Sequence, residues 1–224
     1  MRELSAIERI ERKWSLHNAN KTQFYIAILR SNFHFNKEYE SRNVNSIYFD
    51  DSDLNSLYEN IDGNTYKAKY RVRWYGNFTQ INLAKFEIKM KKGILSKKKF
   101  FKIKNEKMNL NQDSLKILTN EVNKILKFKK KIQPILSTHY SRDYFISANK
   151  KIRATVDDNL QSIKLLNFGN IKNKKNFNKL VLELKYDAKY DSYVRKNLNN
   201  LNELRLSKNS KYLISAMENI FTLS

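Results

Sequence analysis

The run Tyr66-Lys67-Ala68-Lys69-Tyr70-Arg71-Val72-Arg73-Trp74-Tyr75-Gly76 carries a basic residue at every second position, with aromatic or small apolar residues between. Successive strand side chains point to opposite faces. Read as a strand, the run puts Lys67, Lys69, Arg71 and Arg73 on one side and Tyr66, Ala68, Tyr70, Val72 and Trp74 on the other. The same alternation recurs in Phe86-Glu87-Ile88-Lys89-Met90, in Ile152-Arg153-Ala154-Thr155-Val156-Asp157 and in Leu180-Val181-Leu182-Glu183-Leu184-Lys185-Tyr186. Several strands with one apolar and one charged face close into a barrel whose charged faces point inward, and such a lumen suits a polyanion. The alternative is an open antiparallel α+β sheet with its charged face in solvent, and periodicity leaves both open.

Net charge points the same way. The 44 Lys and Arg residues against 22 Asp and Glu give a formal charge of +22, which favours an acidic partner: nucleic acid, a phosphorylated small molecule, polyphosphate or an anionic membrane surface. Richness in Lys, Asn and Ile is also the mark of an AT-rich genome, so the placement of the charges says more than their sum. The absence of cysteine excludes disulfides, thiolate zinc sites and a cysteine nucleophile. No stretch approaches the ~20 apolar residues of a membrane span, and Met1-Arg2-Glu3-Leu4-Ser5 leads into a charged segment rather than a signal sequence. The expectation is a soluble, cytoplasmic protein forming one domain over residues 1–224.

In chain order, residues 7–16 read as a strand with Arg9, Glu11 and Lys13 on one face. Asn18 and Asn20 offer N-caps for a helix reaching Arg30, with Phe24, Ile28 and Leu29 toward the core. Strands are expected over 44–49, 82–90, 96–103, 135–146, 151–160 and 179–186. The parity of the strand holding Lys97-Lys98-Lys99-Phe100-Phe101 is not fixed by its pattern. Asp50, Asp51 and Asp53 fit the capping of a short helix better than a metal cluster, and Asp113 is expected to cap a helix through Leu126. The polar, basic stretch 167–178 reads as a mobile loop, and two helices, 191–201 and 207–221, finish the chain. The count is about eight strands with four or five helices. His17, His34 and His139 match no metal spacing.

Taken in order, a set of motifs resembles the VTC domain, the catalytic module of polyphosphate polymerases in the CYTH-like triphosphate tunnel superfamily. The matching stretches are Arg12-Lys13-Trp14, Ser46-Ile47-Tyr48-Phe49-Asp50, Tyr70-Arg71-Val72-Arg73-Trp74-Tyr75-Gly76, Phe86-Glu87-Ile88-Lys89, Tyr140-Ser141-Arg142, Arg153-Ala154-Thr155-Val156-Asp157, Leu182-Glu183-Leu184-Lys185 and Ser210-Lys211-Tyr212. The resemblance implies an α+β fold: an eight-stranded antiparallel β-barrel tunnel with a charged lumen, flanked by helices. It implies catalytic phosphate contacts at Arg71, Arg73, Lys89, Arg142, Arg153, Lys185 and Lys211. Further phosphate binding is implied at Lys13, Tyr140, Lys208 and one or more of Lys97, Lys98 and Lys99. Glu183 is the implied ligand of a divalent metal, Mn²⁺ or Mg²⁺, with Glu87 a second candidate. Lys67 and Lys69, near the strand's start, are placed at the tunnel mouth.

The activity implied is transfer of the γ-phosphate of ATP onto a growing inorganic polyphosphate chain. Phosphoryl transfer needs in-line placement and charge neutralisation more than a covalent nucleophile, in keeping with a sequence that shows no obvious catalytic triad. The runner-up is a triphosphatase of the same fold. Such enzymes carry Glu-x-Glu-x-Lys in the first strand, where this chain has Arg9-Ile10-Glu11-Arg12-Lys13; Arg9 disfavours hydrolysis and Glu11 keeps it open. A third reading is a non-catalytic polyphosphate- or RNA-binding module. Nucleic acid is disfavoured as a partner because Tyr66, Tyr70 and Trp74 lie opposite the cations rather than among them. Eukaryotic VTC domains work within membrane complexes, so any such coupling here calls for a membrane-protein partner.

Overall fold

The computed structural model describes residues 9–17, 20–92, 95–103, 107–127, 129–165, 174–198, 206 and 210–221. Lys208, one of the expected phosphate ligands, lies outside the described residues. The strands are β1 (Arg9–His17), β2 (Asn36–Asp50), β3 (Tyr66–Tyr75), β4 (Gln80–Ile81), β5 (Lys85–Lys92), β6 (Leu95–Lys102), β7 (Met108–Asn109), β8 (Gln133–Ile146), β9 (Ile152–Lys164), β10 (Lys174–Phe177) and β11 (Lys179–Asp187). The α-helices are α1 (Lys21–Leu29), α2 (Asn55–Ile61), α3 (Gln112–Leu126), α4 (Asp191–Lys196) and α5 (Lys211–Ala216). Eight strands follow one another in the order β1-β11-β9-β8-β2-β3-β5-β6, with β10 beside β9 and a separate β4–β7 pair. Pairing is antiparallel in the β1–β11, β11–β9, β2–β3, β3–β5 and β5–β6 ladders. The α+β class and the eight-stranded sheet are as the sequence predicts. No helix among the described residues is long and apolar enough to cross a membrane.

The chain divides into two compact units, and β2, β8, β9 and β10 contribute residues to both. The first comprises Met1–Arg42, Ser141–Leu160 and Phe177–Asn209. Its three-strand ladder sorts side chains by parity. Rungs Ile10–Tyr186–Ile152 and Trp14–Leu182–Val156 face one way, with Leu184 and Ala154 beside them. Rungs Glu11–Lys185–Arg153 and Lys13–Glu183–Thr155 face the other. The apolar face is covered by α1, whose N-cap Asn20 accepts a bond from the Thr22 amide at 3.0 Å. The helical spacing of Phe24, Ala27 and Ile28 brings all three into a core with Trp14, Val156, Leu182 and Leu184.

One cation falls on the apolar side of this ladder. Arg12 donates to the Tyr186 hydroxyl at 2.5 Å and to Asp191 at 2.9 Å, while Arg195 holds the other Asp191 oxygen at 2.7 Å. Arg12 therefore ties β1 to β11 and α4. Burial by itself raises the Asp191 carboxyl, but the bonds from Arg12, Tyr186 and Arg195 outweigh it and hold it down at about 2. Because the folded value lies below the ordinary one, the stabilisation is fully present above about pH 4 and is lost as pH falls toward about 2. Asp191→Asn is expected to cost about 2 kcal/mol at neutral pH, with the gap from wild type closing on acidification. Urea melts at a series of pH values check this; a gap that does not narrow in acid would remove Asp191 from the network.

The second unit comprises Asn43–Tyr140, Gln161–Asn176 and Ser210–Ser224. Here Ile47, Phe49, Val72, Trp74, Phe86 and Ile88 form one face of the β2–β3–β5 ladder and pack against Leu115, Leu118 and Val122 of α3. The N-cap of α3 differs from the sequence expectation. Asn111, not Asp113, accepts from the Ser114 amide at 2.9 Å, and Ser114 reciprocates by accepting from the Asn111 amide at 2.9 Å. This reciprocal box satisfies two donors at once, and Asp113 is left in the first turn, where its charge suits the helix N-terminus. The N-cap residue of α2, Leu54, makes no side-chain cap bond, and Asp50 at the end of β2 serves instead, accepting from the Ser56 and Leu57 amides at 3.0 and 2.8 Å. Burial raises the Asp50 carboxyl, opposed by these amide bonds. Asp50 and Asp51, which accepts from the Asn55 amide at 3.1 Å, thus serve capping as expected, whereas Asp53 departs from that expectation: it accepts from the Ser52 hydroxyl at 3.0 Å and pairs with Lys130. Residues 174–177, expected within a loop, form β10, and the last helical segment is α5 followed by a π-helical turn over Met217–Phe221.

Candidate functional site

The charged face of the second unit is built by register. Arg71 sits opposite Tyr48 on β2 and Glu87 on β5; Arg73 sits opposite Ser46 and Lys85; Lys69 sits opposite Lys89. The β5–β6 pairing then settles the parity that the sequence pattern left open. Lys98 is opposite Lys89 and joins the cationic face, whereas Lys97 and Lys99 are opposite Met90 and Ile88 and belong to the other face. Like charges directly opposite one another weaken a sheet, so the Lys69–Lys89–Lys98 rung is a costly arrangement for a purely structural role and a suitable one for an anion.

Two of these cations are held in fixed geometry. Arg71 donates to Glu87 Oε2 from Nε at 2.7 Å and from Nη2 at 2.5 Å. Arg73 donates to the Ser46 hydroxyl at 3.2 Å and to the Tyr140 hydroxyl at 3.4 Å. Burial works against the Arg71 charge, but Tyr48, Glu87 and Tyr140 outweigh it and raise its value. Burial likewise raises Glu87, but Arg71, Arg73 and Lys98 outweigh it and hold the carboxylate down. Glu87 is thus an ionised counter-ion within a net positive field. Lys211 lies 4.6 Å over the Tyr140 ring. Lys69 bonds the Ser210 hydroxyl at 2.9 Å and lies 5.4 Å over the Tyr212 ring. Tyr212 stacks on Tyr48 at 4.6 Å, so the start of α5 is anchored to the cationic face by aromatic packing.

In the first unit the charged face centres on Glu183, which is only 5% exposed. Lys13 approaches its Oε1 at 3.3 Å, Lys185 its Oε2 at 3.0 Å, and Arg142 the same oxygen at 3.9 Å. Arg142 also grips Asp157 with two bonds, of 2.5 and 2.8 Å. Glu11 stands 3.8 Å from Lys13. Burial lowers Lys13, but Glu183 and Glu11 outweigh it, so the ammonium is held above its ordinary value. Arg153 is placed beside Lys185 by register, is mostly exposed and contacts Glu38 at 3.5 Å. Thr155, the rung partner of Glu183, has a buried hydroxyl with no hydrogen-bond partner among the described residues.

The expected site residues are therefore gathered into two sets, each within one unit. Arg71, Arg73, Lys89, Lys98, Lys211, Tyr140 and Glu87 belong to the second unit, and Lys13, Arg142, Arg153, Lys185 and Glu183 to the first. Sequence reasoning gave no role to Ser46, Tyr48, Asp157, Thr155 or Tyr212. The alternation that exposed Arg71 would have found Thr155 and Asp157, which share the parity of Arg153; nothing in the sequence announces the Tyr48–Tyr212 stack. Among the described residues no group of three His, Cys, Asp or Glu side chains is close enough to cage a metal. A divalent cation still fits the first unit's donors: Glu183 supplies carboxylate oxygen and Thr155 an orphaned hydroxyl, the hard oxygen chemistry such ions take. Mg²⁺ is often bound through one or two carboxylates plus the substrate's phosphates rather than an all-protein cage.

Comparison with known proteins agrees with the fold. The family profile described as VTC domain matches residues 5–218. Among solved structures, a candidate adenylate cyclase from Vibrio parahaemolyticus superposes with a TM-score of 0.53 at 12% identity, covering 95% of this chain and 100% of that one. A candidate adenylyl cyclase from Hippeastrum with a dominant triphosphatase activity superposes at 0.50 and 10% identity, covering 94% of this chain and 97% of that one. At such identities the likeness is one of fold.

Proposed function

We propose, since the chain belongs to the VTC domain family, that it is a metal-dependent polyphosphate polymerase that moves the γ-phosphate of ATP onto the end of an inorganic polyphosphate chain. The observation that carries this reading is the cationic face of β3, where Arg71 and Arg73 are fixed by Glu87, Ser46 and Tyr140 among Lys69, Lys89 and Lys98. Guanidinium forks match phosphate oxygens two at a time, and lysines add adjustable point charges. The acceptor is a terminal phosphate oxygen, largely ionised near neutral pH. It forms the new bond to the γ-phosphorus as the bond to the bridging oxygen breaks, and ADP departs with that electron pair. No side chain has to act as nucleophile or strong base.

In this reading Arg71, Arg73 and Lys211 hold donor phosphate oxygens, Lys89 and Lys98 neutralise neighbouring ones, and Tyr140 positions Arg73 and Lys211. Lys13, Arg142, Arg153 and Lys185 bind phosphates in the first unit. Glu183, with Thr155 beside it, would hold a Mn²⁺ or Mg²⁺ ion, which when bound supplies positive charge to phosphate oxygens. Glu87 serves as the counter-ion that holds Arg71 in place. The physiological setting assigned to it is the cytoplasm, with ATP and inorganic polyphosphate as partners.

Incubation with ATP and Mn²⁺, with products resolved on a gel, tests the reading. The expected result is a ladder of lengthening phosphate chains with one ADP formed per phosphate added. Free phosphate without a ladder would replace the polymerase by a triphosphatase, the alternative kept alive by Glu11 beside Lys13 on the Glu183 face.

A further inference from the structure

The edge strand β6 adds one aromatic ring to the cationic face of the second unit. Phe100 pairs with Glu87, which pairs with Arg71, so the ring stands on the charged face. Its neighbour Phe101 pairs with Phe86 and turns into the core, with ring centroids 5.9 Å apart. Phe100 is 59% exposed. Lys98 and Lys102 flank it at the same parity, opposite Lys89 and Lys85. Lysines on an edge strand guard against unwanted strand pairing, but a bare phenyl ring between them works against that protection. Packing does not account for it either, since the core lies on the opposite face.

A ring set among cations is the arrangement that stacks a nucleobase while the attached phosphates are held. Tyr66, Tyr70 and Trp74 of β3 lie on the opposite face from its cations, and Tyr48, Tyr140 and Tyr212, which stand among the cations, are buried; Phe100 of β6 is an exposed ring on the cationic face. Phe100 stands two strands from Arg71, roughly 10 Å at ordinary strand spacing, a gap that a ribose and its phosphates can bridge. Lys98 and Lys102 lie to either side of that path.

We propose that Phe100 is the stacking platform for the base of the donor nucleotide, and that this face thereby selects a nucleoside triphosphate over inorganic triphosphate. The inference rests on the phosphate-binding role given above to Arg71 and Arg73. A phenyl face offers no hydrogen bonds, so the selection is for a large aromatic base, purine over pyrimidine, rather than for adenine over guanine.

Equilibrium binding of ATP and of inorganic tripolyphosphate, without metal, tests this apart from catalysis. Wild type is expected to bind ATP more tightly, per phosphate held, than tripolyphosphate. Phe100→Ala and Phe100→Leu are each expected to weaken ATP binding by about 5- to 100-fold and to leave tripolyphosphate binding unchanged. Phe100→Trp is expected to retain ATP binding and to show indole fluorescence quenched by ATP but not by tripolyphosphate. Equal weakening of both ligands, or of neither, would overturn the stacking role. Loss of ATP selectivity in Phe100→Ala, together with a wild type that makes no polyphosphate, would sustain the inference and remove the polymerase. Wild type that binds tripolyphosphate but not ATP would overturn the inference alone, and binding of neither would overturn both.

Discussion

Arg71→Ala is expected to lower ATP-dependent phosphate transfer by about 10²- to 10³-fold, the usual scale for removing one fixed charge donor aimed at a reacting group. Arg71 is held by two bonds to Glu87 Oε2, with a side chain only 15% exposed. The change also strands a buried carboxylate beside Arg73, so a stability loss of about 1–3 kcal/mol accompanies it. Stability and activity separate in the double variant. Arg71→Ala with Glu87→Gln removes the stranded charge and is expected to recover most of the lost stability while transfer stays at the low level. Arg71→Lys, which keeps the charge and loses the fork, should fall between wild type and alanine. Melts and steady-state rates on the same preparations provide the check. Transfer by Arg71→Ala within a few-fold of wild type would mean that this face does not hold the donor phosphates.

Glu183→Gln is expected to be comparably damaging, for a different reason. The carboxylate stands between Lys13, Lys185 and Arg142 at 3.3, 3.0 and 3.9 Å, so an amide of the same shape leaves three cations facing one another and removes the donor that suits a divalent ion. The expected outcome is a rate lowered by more than about 10²-fold, with the Mn²⁺ concentration needed for half-maximal rate moved upward. Tripolyphosphate binding measured without metal should be preserved or tightened, because the site has lost a negative charge. Glu87→Gln serves as the contrast: it should leave the metal dependence where it is in wild type. If Glu183→Gln keeps the wild-type metal dependence and Glu87→Gln shifts it, the two carboxylates exchange roles.

The period-two alternation of a strand is a property of its own backbone, and what depends on it alone was legible in the chain. Residues 66–76 fixed Arg71 and Arg73 on one face with Val72 and Trp74 on the other, and residues 180–186 did the same for Glu183 and Lys185 against Leu182 and Leu184. Where alternation fails, as in Lys97-Lys98-Lys99-Phe100-Phe101, the sequence is silent about faces. Only pairing with β5 turned Lys98 and Phe100 toward the cations and Phe101 toward the core. The cap of α3 was misassigned because an aspartate at residue 113 competed locally with the Asn111–Ser114 box, whose two reciprocal bonds outweigh one favourable charge.

What the sequence by itself determined was thus the existence of cationic strand faces and, where alternation is strict, their membership. What only the tertiary structure decided was which carboxylate each cation takes: Glu87 for Arg71, Asp157 for Arg142, Glu183 for Lys13 and Lys185, and Asp191 for Arg12 on the opposite side. Those partners lie on other strands or helices, and pairing register is a non-local choice made by burying the apolar faces together. A shift of one residue would have turned the same charges into the core.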